Sequence, residues 1–163
     1  MMKESDVSIE IGNHSHAICN QGDIIVNDFK KIKEWQERIK EQARTYGYVT
    51  NANGRRRLVL AAATRDSWRS AEAERAAINM PVQGLAADII KLAMIKVAKE
   101  LKKRGWWQKE VRMLLTIHDE LLFEIKESII KEAPKIIRAL MESAYQLDVP
   151  VKVTEKIGST WGE

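Results

Sequence analysis

A single cysteine, Cys19, stands in the 163-residue chain, and a lone thiol excludes an internal disulfide framework. No segment approaches the roughly 18 consecutive apolar residues of a membrane-spanning helix. There is no internal repeat of the kind that builds solenoids, and no low-complexity tract. The N-terminal stretch MMKESDVSIEI has no long apolar segment of the sort a secretory signal needs. A cytoplasmic location with no membrane partner is therefore the expectation. Neither sign of charge dominates: 27 Lys and Arg face 23 Asp and Glu, a surplus of four with a pI near 9.2. That balance is compatible with a polyanionic partner without demanding one. What remains, 45% hydrophobic and 31% charged residues, is the mix of one ordinary globular core.

The apolar spacing divides the chain. DVSIEI near the N-terminus alternates like a short strand. From Asp28, Phe29, Ile32, Trp35, Ile39 and Ala43 recur at helical steps, with Asn27 or Asp28 as N-cap and Gly47 closing the helix. GYVTNANGRRRLVL then reads as a hairpin about Asn53-Gly54, with Arg55, Arg56 and Arg57 leaving its turn. Residues 61–70 read as a loop, Ala71 to Met80 as a helix, and Pro81 as the break that starts the next helix, since proline suits a first-turn position. That second helix has an apolar face of Ile89, Ile90, Ala93, Met94, Val97 and Leu101 and ends at Gly105. Two strand-like runs, EVRMLLTI and ELLFEIK, meet at His118-Asp119. A helix over about 128–146, kinked or delayed by Pro134, and a strand in VPVKVTEKI complete the pattern. The fold class expected is α+β, helices around a few antiparallel strands.

The segment TIHDELLFEI sets three ionisable residues, His118, Asp119 and Glu120, in the middle of an apolar run. With Leu114, Leu115, Ile117, Leu121, Leu122 and Phe123 buried on either side, a carboxylate there needs a partner, because an unpaired buried charge is costly. Mg²⁺ is one such partner, taking one or two carboxylates and filling its shell with waters and substrate phosphates. Rigid carboxylates also suit two-metal phosphoryl transfer, with ions about 4 Å apart. Two rival readings stand beside it: a plain polar turn, and a metal phosphohydrolase combining His14, His16 and the His118-Asp119 pair. Likewise Trp106 and Trp107 serve either as core packing or as base-stacking platforms.

ERAAINMPVQGLAADIIKLAMIKV, residues 74–97, followed some twenty residues later by HDE, resembles the C-terminal palm of family A DNA polymerases. GYVTNANGRRRLV and DVPVKVTEKIGSTWGE extend the resemblance, which covers roughly residues 29–163. It implies a palm-type antiparallel sheet whose catalytic hairpin packs against helices. Asp119 matches the family's metal-binding aspartate, Glu120 its acidic neighbour and His118 the histidine near the primer terminus. Arg75, Asn79 and Gln83 match the trio that contacts the primer–template minor groove, where Watson–Crick pairs present shared acceptors. Arg55 and Arg56, with Arg57, suit phosphate contact. Mg²⁺ is the cofactor implied, and primer–template DNA and dNTP the substrates.

The chain also departs from the family. Nothing in residues 1–28 resembles the strand motif DYSQIELR, with its first catalytic aspartate, or the helix that holds the incoming triphosphate. A second polypeptide bearing those motifs is therefore expected, with no polymerisation by this chain alone; the other readings are an inactive remnant and a DNA-binding module without chemistry. Residues 1–28 are read as a leader of unknown role. They resemble the C-terminal end of an intein at His16 and Asn27, but Val26 replaces the usual histidine and Asp28 is not a splicing nucleophile. An unrelated leader is the alternative.

Overall fold

The computed structural model describes residues 4–11, 30–60 and 67–160. Its elements in chain order are β1 (Glu4–Ile11), α1 (Lys30–Tyr46), β2 (Tyr48–Thr50), β3 (Arg56–Leu58), α2 (Ser67–Lys103), β4 (Val111–Ile117), β5 (Glu120–Lys126), a 3₁₀ turn (Glu127–Ile129), α3 (Ala133–Glu142) and β6 (Val153–Gly158). The expected α+β class holds, with a four-stranded antiparallel sheet in the order β4-β5-β1-β6 and a small β2-β3 ribbon. The chain divides into two compact units, residues 1–13 with 89–163 and residues 14–88. The division falls within α2, whose halves supply separate cores.

In the unit of residues 14–88, α1 turns Ile39 and Ala43 inward to meet Val49, Val59, Ala77 and Met80. Gly47 ends α1 at φ +70, a left-handed conformation that a side chain resists, and a Cβ there would lie 2.9 Å from Leu60 Cδ2. The hairpin after it is not the simple two-residue turn that Asn53-Gly54 suggests. Asn51 bonds Gly54 N–H through its carbonyl and donates to the Arg55 carbonyl, both at 3.0 Å, and Gly54 alone takes a positive φ. That is a three-residue loop closed by a glycine bulge. The proposed caps Asn27 and Asp28, the leader histidines His14 and His16, Cys19 and the intein-like residues lie outside the described residues.

In the other unit, Ala93, Val97 and Leu101 of α2 pack with Val111, Leu121, Phe123, Ile125, Ala133, Ile137, Met141 and Val153. The helix ends as its sequence indicates. Gly105 takes φ +73, its N–H reaches Lys102 O at 3.1 Å, and Trp106 N–H reaches back to Leu101 O at 2.9 Å, so the last turn's carbonyls are satisfied. Trp106 and Trp107 are half-buried against this core, which supports the packing reading of the pair. Pro134 sits in the first turn of α3, so the late start is what occurs.

Three expectations fail for identifiable reasons. Pro81 does not break the helix: α2 runs from Ser67 to Lys103 through it. Tertiary packing explains this, since Ala77 and Met80 before the proline and Ala93 and Val97 after it are held in cores. Residues 67–70, read as loop, already belong to the same helix. Finally, Leu114 and Leu115 are not buried but 48% and 43% exposed, because β4 is an edge strand of the sheet and a bulge shifts its register between Met113 and Leu115.

By length and composition α2 could cross a bilayer over Ser70–Lys103. Ala77, Met80, Ala93, Val97 and Leu101 are taken up by the two cores, while Val82, Leu92 and Ile95 are exposed along it together with Arg75, Asn79, Gln83 and Lys91. β1, from the segment read as a leader, is an interior strand of the sheet, paired with β5 on one side and β6 on the other.

Candidate catalytic turn and nucleic-acid interface

β4 and β5 are joined by His118 and Asp119 alone, with Ile117 paired to Glu120 across the turn. A two-residue antiparallel connection needs positive φ at its first position to match the twist of the strands. His118 supplies it at φ +52, a conformation that costs a non-glycine residue about 1–2 kcal/mol. The turn places His118 in solvent and leaves Asp119 and Glu120 half-buried at the end of the sheet. Support comes from one side only. Leu121, Phe123 and Ile125 of β5 are buried, whereas β4 is largely exposed beyond Met113. The aspartate is thus better solvated than the apolar flanks suggest.

Among the described residues, no hydrogen bond or ion pair holds the Asp119 carboxylate, and no group of three His, Cys, Asp or Glu residues assembles around an ion. β1 brings one further acidic residue to this end of the sheet: in register, Glu10 lies opposite Glu120. Farther along, the ladder is stabilised by charge, with Arg112 opposite Glu124 and joined to it at 3.0 Å.

The unit of residues 14–88 carries the other expected residues. Arg75, Asn79 and Gln83 recur every four residues on α2 and all three are exposed, while Ala77 and Met80 face the core. They form one polar row along the solvent side of the helix. The arginine hairpin lies in the same unit, and its three arginines are used differently. Arg56 places its guanidinium 4.9 Å from the centre of the Tyr48 ring, a cation–π contact that leaves its N–H groups available. Arg57 is exposed. Arg55 instead pairs with Asp88 of α2: its Nε donates to Oδ1 at 2.7 Å and its Nη2 bonds the same oxygen. Hydrogen bonding to Asp88, and then the charge of Asp88, hold the Arg55 guanidinium above its ordinary pKa.

Asp88 and Asn51 were not singled out by sequence, yet they are the two buried polar residues of the described core, 6% and 4% exposed. Asn51 Nδ2 donates to Asp88 Oδ2 at 2.7 Å, and Asn51 Oδ1 accepts the N–H groups of Asn53 and Arg55 at 3.0 Å each. The signal that could have found them is Asp88 itself, an acid within the apolar run LAADIIKLAM. A buried carboxylate of that kind requires a partner.

Comparison with known proteins agrees with the motifs. The family model described as DNA polymerase family A matches residues 20–163. The thermostable DNA polymerase I of Thermus filiformis is 44% identical over 135 residues, which are 83% of this chain and 16% of that protein. DNA polymerase I of Bacillus subtilis is 40% identical over 139 residues, 85% of this chain and 16% of the relative. Among solved structures, the POL domain of Pol1 from M. smegmatis, in complex with DNA primer-template and dNTP, superposes with a TM-score of 0.74 at 41% identity, over 79% of this chain and 22% of that one. The chain therefore spans only about a sixth of the length of the curated relatives it matches.

Proposed function

This chain belongs to DNA polymerase family A, and from that premise we propose that it supplies the palm portion, residues 29–163, of a DNA-directed DNA polymerase acting in the cytoplasm. The reaction is template-directed nucleotidyl transfer: the primer 3′-hydroxyl attacks the α-phosphate of a dNTP, the new phosphodiester forms and pyrophosphate leaves. Asp119 anchors the metal, Glu120 supports its placement, and His118 lies beside the primer terminus. Arg75, Asn79 and Gln83 donate to purine N3 and pyrimidine O2 in the minor groove, which tests pair geometry without reading sequence. Arg56, with Arg57, meets backbone phosphate.

The observation that carries this reading is the tip of the β4-β5 hairpin. There a carboxylate free of internal partners among the described residues stands half-exposed on a two-residue turn. Its chemistry fits Mg²⁺, a hard cation content with one or two carboxylates when waters and substrate phosphates provide the rest. When bound, the ions would stabilise negative charge on the attacking and leaving oxygens by a two-metal mechanism. The residues themselves fix where that charge develops, since the hairpin holds Asp119 in one geometry before substrate arrives.

The first catalytic aspartate and the triphosphate-binding helix expected of the family are absent from the sequence. A second polypeptide carrying them completes the site in this reading. The test is Mg²⁺-dependent primer extension with those motifs supplied in trans, comparing the intact chain with Asp119→Ala. Extension should require the intact aspartate; equal rates would remove Asp119 from the mechanism.

A further inference from the structure

We propose that Asp88 is a positioning residue for DNA binding: by clamping Asn51 and Arg55 it aims Arg56 and Arg57 of the hairpin at the phosphate backbone of the duplex. This rests on the duplex-binding reading above and adds to it a residue that touches no DNA. The geometry has three parts. Asp88 is buried and rooted in α2, the helix that also carries Arg75, Asn79 and Gln83. Its two carboxylate oxygens are divided between the hairpin's ends, Oδ2 taking the Asn51 amide and Oδ1 the Arg55 guanidinium. The Asn51 oxygen in turn holds the loop backbone at Asn53 and Arg55.

Apolar packing anchors the ribbon only at its base, where Val49 and, just beyond β3, Val59 enter the core. β2 and β3 have three residues each, and every residue of β3 is exposed. An isolated two-stranded hairpin is at best marginally stable in water. The buried carboxylate converts it into a fixed projection of the helix, with the next two arginines in solvent. Arg55 is consequently a member of the clamp, and the phosphate contacts fall to Arg56 and Arg57. Pre-ordering long arginine side chains reduces the entropy lost when they bind.

Charge alone and positioning call for opposite results in Asp88→Asn. That substitution removes a negative charge from a DNA-binding unit, so long-range electrostatics would tighten binding. Loss of the clamp weakens it instead. With the full chain and a fluorescent primed duplex, fluorescence anisotropy over a salt series should show Asp88→Asn weakening binding by about three- to tenfold, and the salt slope falling by about one, the change associated with one lost phosphate contact. The same substitution in an Arg56→Ala/Arg57→Ala background should produce no further loss, whereas general destabilisation would weaken both backgrounds alike. If Asp88→Asn does not fold, as judged by circular dichroism, Arg55→Lys takes its place. It keeps the charge at a half-exposed site and removes the two-pronged grip, and the same weakening and the same background dependence are expected. Binding that is unchanged or tighter, or a loss that persists without Arg56 and Arg57, overturns the proposal while leaving the duplex reading intact. If the unaltered chain does not bind the duplex, both fall together.

Discussion

At the scale of single residues, the turn between β4 and β5 separates what the backbone needs from what the chemistry needs. His118 occupies φ +52, where glycine would sit without strain. His118→Gly should therefore leave stability unchanged or raise it by up to about 1 kcal/mol, the relieved strain being partly offset by glycine's greater freedom in the unfolded chain. If the imidazole serves the primer terminus, extension falls in the same variant. A melting temperature that drops with activity would show that the histidine is structural. Gln83 offers a second test. It is exposed, so Gln83→Ala should leave thermal unfolding unaltered while weakening primed-duplex affinity about fivefold, the scale of one lost hydrogen bond, whichever base pair ends the primer. A loss confined to one terminal pair would contradict the minor-groove role. These residues were candidates in the sequence because a motif singles them out. Asn51 and Asp88 were not, since a buried polar pair 37 positions apart is joined by folding and leaves no local pattern.

At the scale of elements, local rules read most of the chain and failed where packing overruled them. Gly47, Gly54 and Gly105 all take the positive φ that their turns and helix ends require, and β4 and β5 join at His118-Asp119 as expected. Pro81 is the exception. Proline within a helix forfeits a hydrogen bond and crowds the preceding turn, at about 3 kcal/mol, yet α2 continues through it. Pro81→Ala should stabilise the protein by about 1–3 kcal/mol, raising the melting midpoint about 2–4 °C for each kcal/mol in a chain of this size. No gain, or a loss, would mean that the surroundings are built around the proline ring. The exposure of Leu114 and Leu115 was hidden for a different reason. An apolar strand looks alike in sequence whether it lies at the centre or the edge of a sheet, and only pairing reveals β4 as an edge strand.

At the scale of the whole molecule, β1 changes how the sheet is understood. Its alternating residues indicated a strand, but nothing in DVSIEI indicated its neighbours. It lies between β5 and β6, outside the residues that the family model matches, with Glu10 opposite Glu120. Primer extension by the isolated chain would contradict the proposed requirement for a second polypeptide. The most direct measurement uses a chimaera in which residues 29–163 replace the matching segment of the Thermus filiformis polymerase, assayed for primer extension with Mg²⁺ and four dNTPs. The chimaera should extend the primer, and Asp119→Ala within it should cut the rate at least about a hundredfold, the scale of losing one preorganised electrostatic anchor. A folded chimaera that binds primed duplex but extends nothing, or that extends equally well without Asp119, would contradict a catalytic role for the hairpin and leave this chain a DNA-binding module.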